Sequence, residues 1–249
     1  MSDDWSARAE AWATHWARLA APARAALLDA AGVGPATRLL DIGCGSGELC
    51  AAAAERGAVV AGIDAAEGML AIARRRVPDG DLRVGAIETL PWADATFDVV
   101  TAINALQFAD DFVDALREAA RVVRPDGLVA VCNWGRRADR ELFEVFDRLA
   151  EPCTPSTLGE PGVLEERARA AGLEPVAAAD VDTPWEARDL PTLVAAIVDG
   201  SGFTGTRDAI ERAAAPFRRP DGSYRFQNRF RYVIARGVHV AGSTAHNPA

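Results

Sequence analysis

The sequence predicts a doubly wound α/β fold: a mostly parallel, seven-stranded sheet whose last strand is antiparallel, with helices on both faces. Three observations carry that expectation. The apolar run Leu39-Leu40-Asp41-Ile42 leads into glycines at 43, 45 and 47 and then directly into an alanine-rich stretch. From Thr37 to Asn133, short apolar runs alternate with segments of helical periodicity, the order that builds parallel strands joined by crossover helices. Near the end of the chain Tyr224, Phe226, Asn228, Phe230 and Tyr232 alternate with Arg225, Gln227, Arg229 and Arg231, a half-buried pattern that suits an antiparallel strand.

Residues 6–20 form an amphipathic helical segment with Trp12 and Trp16 on one face, and 22–31 form a second helix closed by Gly32 and Gly34. Residues 1–34 are therefore expected to make a helical lid. Strands are expected near 38–41, 58–63, 81–85, 97–102 and 127–133, within a core spanning 37–135. Residues 139–149 are helical by pattern, 151–162 make a proline-broken loop, and 163–171 form a helix stopped by Gly172. A sixth strand is expected over 173–181. Two helices, 190–198 and 207–215, then fall in an insertion over 184–220 that precedes the final strand, 224–235. All of this fits one domain over 1–240, followed by an aperiodic tail, 241–249, expected to be disordered.

The glycine loop is the main chemical signal. Alternate glycines let the backbone turn sharply against a ligand, and the helix that follows offers unpaired N–H groups. A dinucleotide fingerprint would place its third glycine where this chain has Glu48, and Asp41 adds a second negative charge beside the loop. Two carboxylates disfavour a pyrophosphate and favour a cofactor carrying a cation. Asp64, ending the run Val59-Val60-Ala61-Gly62-Ile63, is placed to accept from ribose hydroxyls.

The Asp-x-Gly-x-Gly-x-Gly pattern at 41–47 resembles motif I of the class I S-adenosylmethionine-dependent methyltransferases. The likeness extends to Ala86-Ile87-Glu88-Thr89-Leu90-Pro91-Trp92, to Phe97-Asp98-Val99-Val100, and to Arg121-Val122-Val123-Arg124-Pro125-Asp126-Gly127, which are similar to segments of the small-molecule enzymes of that family in the same order. The resemblance implies a Rossmann-like fold, S-adenosylmethionine as cofactor with S-adenosylhomocysteine as product, and methyl transfer to an O, N or C atom of a small molecule, in secondary or quinone-like metabolism. It assigns the cofactor to Asp41, Gly43, Cys44, Gly45, Gly47, Asp64, Ala65, Met69, Ala86, Ile87, Glu88 and Asn104. At Ala86 the chain departs from the family, which usually has an Asp there for the adenine amino group; backbone near Ile87, Glu88 or apolar stacking must then hold the base. A fold relative that binds the same cofactor without transferring a methyl group is the alternative, and a nicotinamide-dependent oxidoreductase is a third.

Composition narrows the partners. With 27 basic and 36 acidic residues the formal charge is −9, which disfavours nucleic acid, and no apolar run approaches the length of a membrane span. The opening Met1-Ser2-Asp3-Asp4 lacks the basic start of a signal peptide, so a cytoplasmic monomer or homodimer is expected. Cysteines at 44, 50, 132 and 153 have neither zinc-site nor disulfide spacing, and no metal is expected.

On the acceptor side the candidates follow the fourth strand. Asn104 and Gln107 are the candidate catalytic residues there, and Gln107 stands where many relatives have His, so no base is evident at that place. His15, beside the two lid tryptophans, is the candidate base if the substrate must lose a proton. Trp12, Trp16, Gln107, Phe108 and Trp134 are the expected substrate contacts, with Trp185 and Phe203 as further candidates on the insertion.

Overall fold

A computed structural model describes residues 2–149 and 156–237. The expected tail at 241–249, and residues 150–155, which include Cys153 and the first part of the loop expected over 151–162, lie outside the described residues. Helix α1 (Ser2–His15) and helix α2 (Ala21–Ala30) open the chain. The core then alternates β1 (Arg38–Ile42), α3 (Glu48–Glu55), β2 (Val59–Asp64), α4 (Glu67–Arg76), β3 (Asp81–Val84), β4 (Phe97–Ile103), α5 (Phe112–Val122) and β5 (Val123–Trp134). Helices α6 (Glu141–Leu149) and α7 (Val163–Ala170) follow, then strand β6 (Leu173–Asp182). The rest comprises β7 (Trp185–Ala187), α8 (Leu190–Ala195), α9 (Arg207–Ala214), β8 (Tyr224–Phe226) and β9 (Arg229–Gly237).

Seven strands form the main sheet in the order β3-β2-β1-β4-β5-β9-β6, with β9 antiparallel to both neighbours. The expected sheet is thus present, antiparallel last strand included. Strand periodicity sends alternate residues to opposite faces. Leu39, Val99, Ala130 and Ile234 join Leu27, Leu28, Leu49 and Leu70 of α2–α4 in one core. Leu40, Val100, Val129 and Val233 pack with Leu116 of α5 and Leu164 of α7 in the other.

The expected final strand, 224–235, is two strands. Tyr224–Phe226 pairs with Trp185–Ala187 in a separate ribbon, and the chain enters the main sheet only at Arg229. The side chain of Asn228 causes the break: its Oδ1 accepts from Leu142 N at 3.2 Å, and its carbonyl accepts from Thr183 N at 2.7 Å. An alternating apolar pattern runs unbroken through this corner, because both strands bury the same set of residues, so periodicity alone could not reveal it.

Helix α1 is longer at its start than the pattern indicated and ends one residue before Trp16. The insertion holds α8 and α9 as expected, together with the ribbon and a π turn at Ala196–Gly200. This turn is fitted to Trp16: its indole N–H donates to Ala196 O at 2.9 Å, and a Cβ at Gly200 would come within 2.5 Å of the indole nitrogen. A second indole bond, from Trp185 to His15 O at 3.0 Å, and a stacked Trp16–Trp185 pair 4.6 Å apart fasten the end of α1 to the insertion. Among the described residues no helix is long and apolar enough to cross a membrane.

Candidate functional site: the glycine loop and the ends of β4 and β5

Each loop glycine has its own constraint. Gly43, at φ 65°, lies against β4's exit, where a Cβ would stand 2.4 Å from Ala105 Cβ. Gly47, at φ 82°, packs on Ala73 of α4, where the added carbon would be 2.9 Å from Ala73 Cβ. Gly45 differs: at φ 53° its Cβ would meet nothing within 4 Å. Two glycines therefore serve close packing, and the middle one leaves an open face.

Asp64 controls that face. Its carboxylate accepts from Gly45 N at 2.9 Å and from Ala66 N at 2.8 Å, joining the loop to the entrance of α4. Burial pushes its pKa up, while these two backbone donors act in the opposite direction. Ala65 beside it is exposed, and Met69 is buried one turn into α4.

Asp41 lies beneath the loop, 4% exposed. Its Oδ1 accepts from Thr101 Oγ1 at 2.8 Å, and the Cys50 thiol lies 4.0 Å from Oδ2. Burial pushes its pKa up to about 7, against the Thr101 bond and the charge of Arg24. Asp41 is thus a buried acid supporting the loop, and Cys44 is likewise buried under it. Glu48 is not the bare charge that the spacing suggested. It accepts from Ser46 Oγ at 2.6 Å and pairs with Arg76 at 2.5 Å, and Arg76 also donates to Ser46 O. Its discrimination against a phosphate is correspondingly weaker than its charge alone indicates.

Sequence reasoning missed Arg24. This residue of α2 is half-buried and faces Asp41 and Glu48, yet its guanidinium makes no hydrogen bond or ion pair among the described residues. Burial lowers its pKa, and the two carboxylates oppose that. A cation held at the loop with no bonded anion is suited to a ligand carboxylate. A helix preceding the first strand gave no motif by which to find it.

At the end of β4, Asn104 takes φ 51°, rare outside glycine. Its N–H donates to Cys132 O at 2.9 Å and its Oδ1 accepts from Trp134 N at 3.0 Å, so it fastens β4's exit to β5's. Gln107 and Phe108 follow in an exposed 3-10 turn, Phe108 being 47% exposed. Glu88 accepts from Asp110 N at 3.0 Å, closing the 86–90 turn against the end of that segment; Ala86 is exposed and Ile87 half-buried.

The lid sits down on this region. Gly68 N, at the start of α4, donates to Ser6 Oγ at 3.1 Å, and a Cβ on Gly68 would lie 2.4 Å from Ser6 O. Trp5 reaches Phe108 with a 6.0 Å centroid separation. His15 is half-buried, and its imidazole makes no hydrogen bond among the described residues. Its backbone carbonyl, held by Trp185, is the part that is engaged. The structure thus brings Asp41, the loop, Asp64, Ala65, Met69 and Asn104 to one end of the sheet, with 86–88 beside them; His15 lies at the junction of lid and insertion.

In fold the chain is similar to solved methyltransferases. Residues 40–131 match the methyltransferase domain family. The chain is 36% identical over 111 residues to a demethylmenaquinone methyltransferase of Renibacterium salmoninarum, covering 45% of this chain and 47% of the relative. It is 34% identical over 115 residues to a malonyl-[acyl-carrier protein] O-methyltransferase of Serratia marcescens, covering 46% and 45%. The match spans about half the length of these curated relatives. In fold it is similar to geranyl diphosphate C-methyltransferase of Streptomyces coelicolor A3(2), solved with S-adenosyl-L-homocysteine, at a TM-score of 0.58 and 22% identity over 88% of this chain and 78% of that one.

Proposed function

We propose that this protein binds S-adenosylmethionine and transfers its methyl group to an O, N or C atom of a small molecule. The carrying observation is the loop itself. Gly45 leaves an open face, Asp64 is fixed beside it by two backbone donors, and Arg24 presents a cation with no bonded anion. Those features fit an amino-acid nucleoside: Asp64 for the ribose hydroxyls, Arg24 for the carboxylate, and the buried charge of Asp41 for the ammonium through the loop. When bound, the sulfonium supplies an activated methyl group.

The chain's own part is positioning. Asn104 fixes the exits of β4 and β5, where an acceptor would stand, and α1 is fastened to the start of α4 through Ser6. Ala86 leaves the adenine edge to backbone and to the apolar side chain of Ile87. Gln107 is an exposed neutral amide and no base, and His15 is the remaining candidate for proton removal. A small-molecule acceptor agrees with the name of one relative, a demethylmenaquinone methyltransferase, while another is named for malonyl-[acyl-carrier protein]. Secondary metabolism, a cytoplasmic location, the absence of a nucleic-acid partner and a monomeric or dimeric state belong to the same proposal.

Calorimetric titration with S-adenosylmethionine, followed by incubation of the protein with methyl-labelled cofactor and a small-molecule extract, tests it. Binding and label in a product support it. Binding without label in any product supports a relative that uses the cofactor without transfer.

A further inference from the structure

The acid beneath the glycine loop is held by few partners. Asp41 of β1 and Thr101 of β4 stand opposite one another in the parallel register, and Thr101 is fully buried. The Thr101 hydroxyl oxygen lies 2.8 Å from Asp41 Oδ1 and 3.3 Å from Leu40 O. It has one hydrogen to donate, so it cannot serve both acceptors at once. Among the described residues, Asp41 Oδ2 has only the Cys50 thiol, at 4.0 Å, and that thiol is equally far from Ala61 O. No cation is bonded to either carboxyl oxygen among the described residues.

The Thr101 hydroxyl is satisfied in two states. With Asp41 protonated, the carboxyl donates to Thr101 Oγ1 and Thr101 donates to Leu40 O; with Asp41 ionised, Thr101 donates to Asp41 Oδ1. The charged and titratable groups that face Asp41 are Arg24 of α2, Glu48 of α3, Asp64 at the end of β2, and the thiols of Cys44 and Cys50. Burial pushes the Asp41 pKa up to about 7; the Thr101 bond and Arg24 act against burial, while Asp64 and Glu48 act with it. Near neutral pH the free protein therefore holds both states in similar amounts. A cation arriving on the open face of Gly45 attracts the ionised state alone, and S-adenosylmethionine brings an ammonium and a sulfonium against one carboxylate.

We propose that Thr101 is a positioning residue that makes cofactor binding proton-coupled: as the cationic cofactor enters, the Asp41 carboxyl releases its proton to solvent and Thr101 turns its hydroxyl hydrogen from Leu40 O to the carboxylate. The proposal rests on the S-adenosylmethionine reading above. The carboxyl O–H bond breaks with its electron pair staying on oxygen, and one net positive charge at the loop replaces the departing proton. Affinity is then governed by the fraction of Asp41 already ionised, and it falls as pH drops below about 7.

Calorimetric titration of the full chain with S-adenosylmethionine at pH 6, in MES and in Bis-Tris, whose ionisation heats differ, counts the protons released per bound cofactor. About 0.9 proton should be released, because Asp41 of the free protein is then mostly protonated while the cofactor's own α-amino group is already charged. Affinity should fall about fivefold from pH 7 to pH 6. Thr101→Val and Thr101→Ala should each bind at least about threefold more weakly than the parent at pH 7, yet within about twofold of it at pH 8.5. Thr101→Ser should match the parent at both, and circular dichroism checks that the variants fold. A role confined to packing would weaken binding by the same factor at either pH. No proton release at pH 6, release undiminished in Asp41→Asn, a loss independent of pH in the valine and alanine variants, or no recovery by serine would overturn the coupling and leave the S-adenosylmethionine reading standing. No response to S-adenosylmethionine at any pH would remove both.

Discussion

Asp41→Asn separates the cost of the buried acid from its use. In the unfolded chain this carboxyl ionises at its ordinary value of 3.8, and in the folded protein burial pushes it up to about 7. The folded state therefore holds the proton more tightly, so this group's contribution is most favourable below about pH 4 and is lost as pH rises through about 7. The cost this group places on the folded state is about 4 kcal/mol at pH 8, where it is ionised in both states, and about 2 kcal/mol at pH 5, where folding must first protonate it. Asparagine keeps the acceptor for Thr101 Oγ1 and removes the ionisation. The variant should therefore gain stability relative to the parent by about 2–3 kcal/mol more at pH 8 than at pH 5, read from urea denaturation of the cofactor-free proteins. Its affinity for S-adenosylmethionine should fall at the same time, because the negative charge under the loop is gone. A stability difference that does not change between the two pH values would show that Asp41 is not a buried acid of raised pKa, and would remove the electrostatic basis for its place in the site.

Arg24→Ala should weaken cofactor binding by about 1.5–3 kcal/mol, with Arg24→Lys recovering part of it, while thermal stability stays near the parent's. Equal binding by all three proteins would mean that the guanidinium faces no ligand. Gly45→Ala should fold, carrying the strain of a side chain at φ 53° but no steric clash, yet lose cofactor affinity; Gly43→Val should lose the fold, because its Cβ meets Ala105 at 2.4 Å. Proteolysis and calorimetry on the pair read the two effects separately, and a Gly45 variant with parental affinity would place the cofactor elsewhere. Asn104→Ala, at a φ of 51° and without the bond to Trp134 N, should lower kcat more than it raises the KM for the cofactor. A change confined to that KM would make Asn104 a cofactor contact only.

The sheet was legible because its strands carry their own signals. Apolar runs such as 39–42 and 97–102 are bounded by glycine, proline and charged turns, and runs of that kind assign themselves. The glycine loop was equally plain, since φ values of 53–82° at Gly43, Gly45 and Gly47 are ones that other residues rarely adopt. Long-range events were not. Asn228 breaks the last alternating run through a bond to Leu142, 86 residues away in sequence, and nothing local marks it. Arg76 neutralises Glu48 from 28 residues off, so a charge counted from the motif alone was overvalued. Arg24 was silent for the same reason: an arginine in a helix reads as solvated until the fold sets it over Asp41. Trp12 and Trp16 gave a shared face, but only the fold shows Trp16 held by the π turn and linked through Phe146 and Phe143 to Trp134.

Isothermal titration of the full chain with S-adenosylmethionine, S-adenosylhomocysteine and NAD tests the central claim, that the face of Gly45 between Asp64 and Arg24 is an S-adenosylmethionine site. Both sulfur nucleosides should bind with one site per chain, Asp64→Ala should weaken both by about 2–3 kcal/mol, and NAD should give no heat above dilution. Saturable NAD binding with no response to either sulfur nucleoside, or nucleoside affinities unchanged by Asp64→Ala, would contradict it.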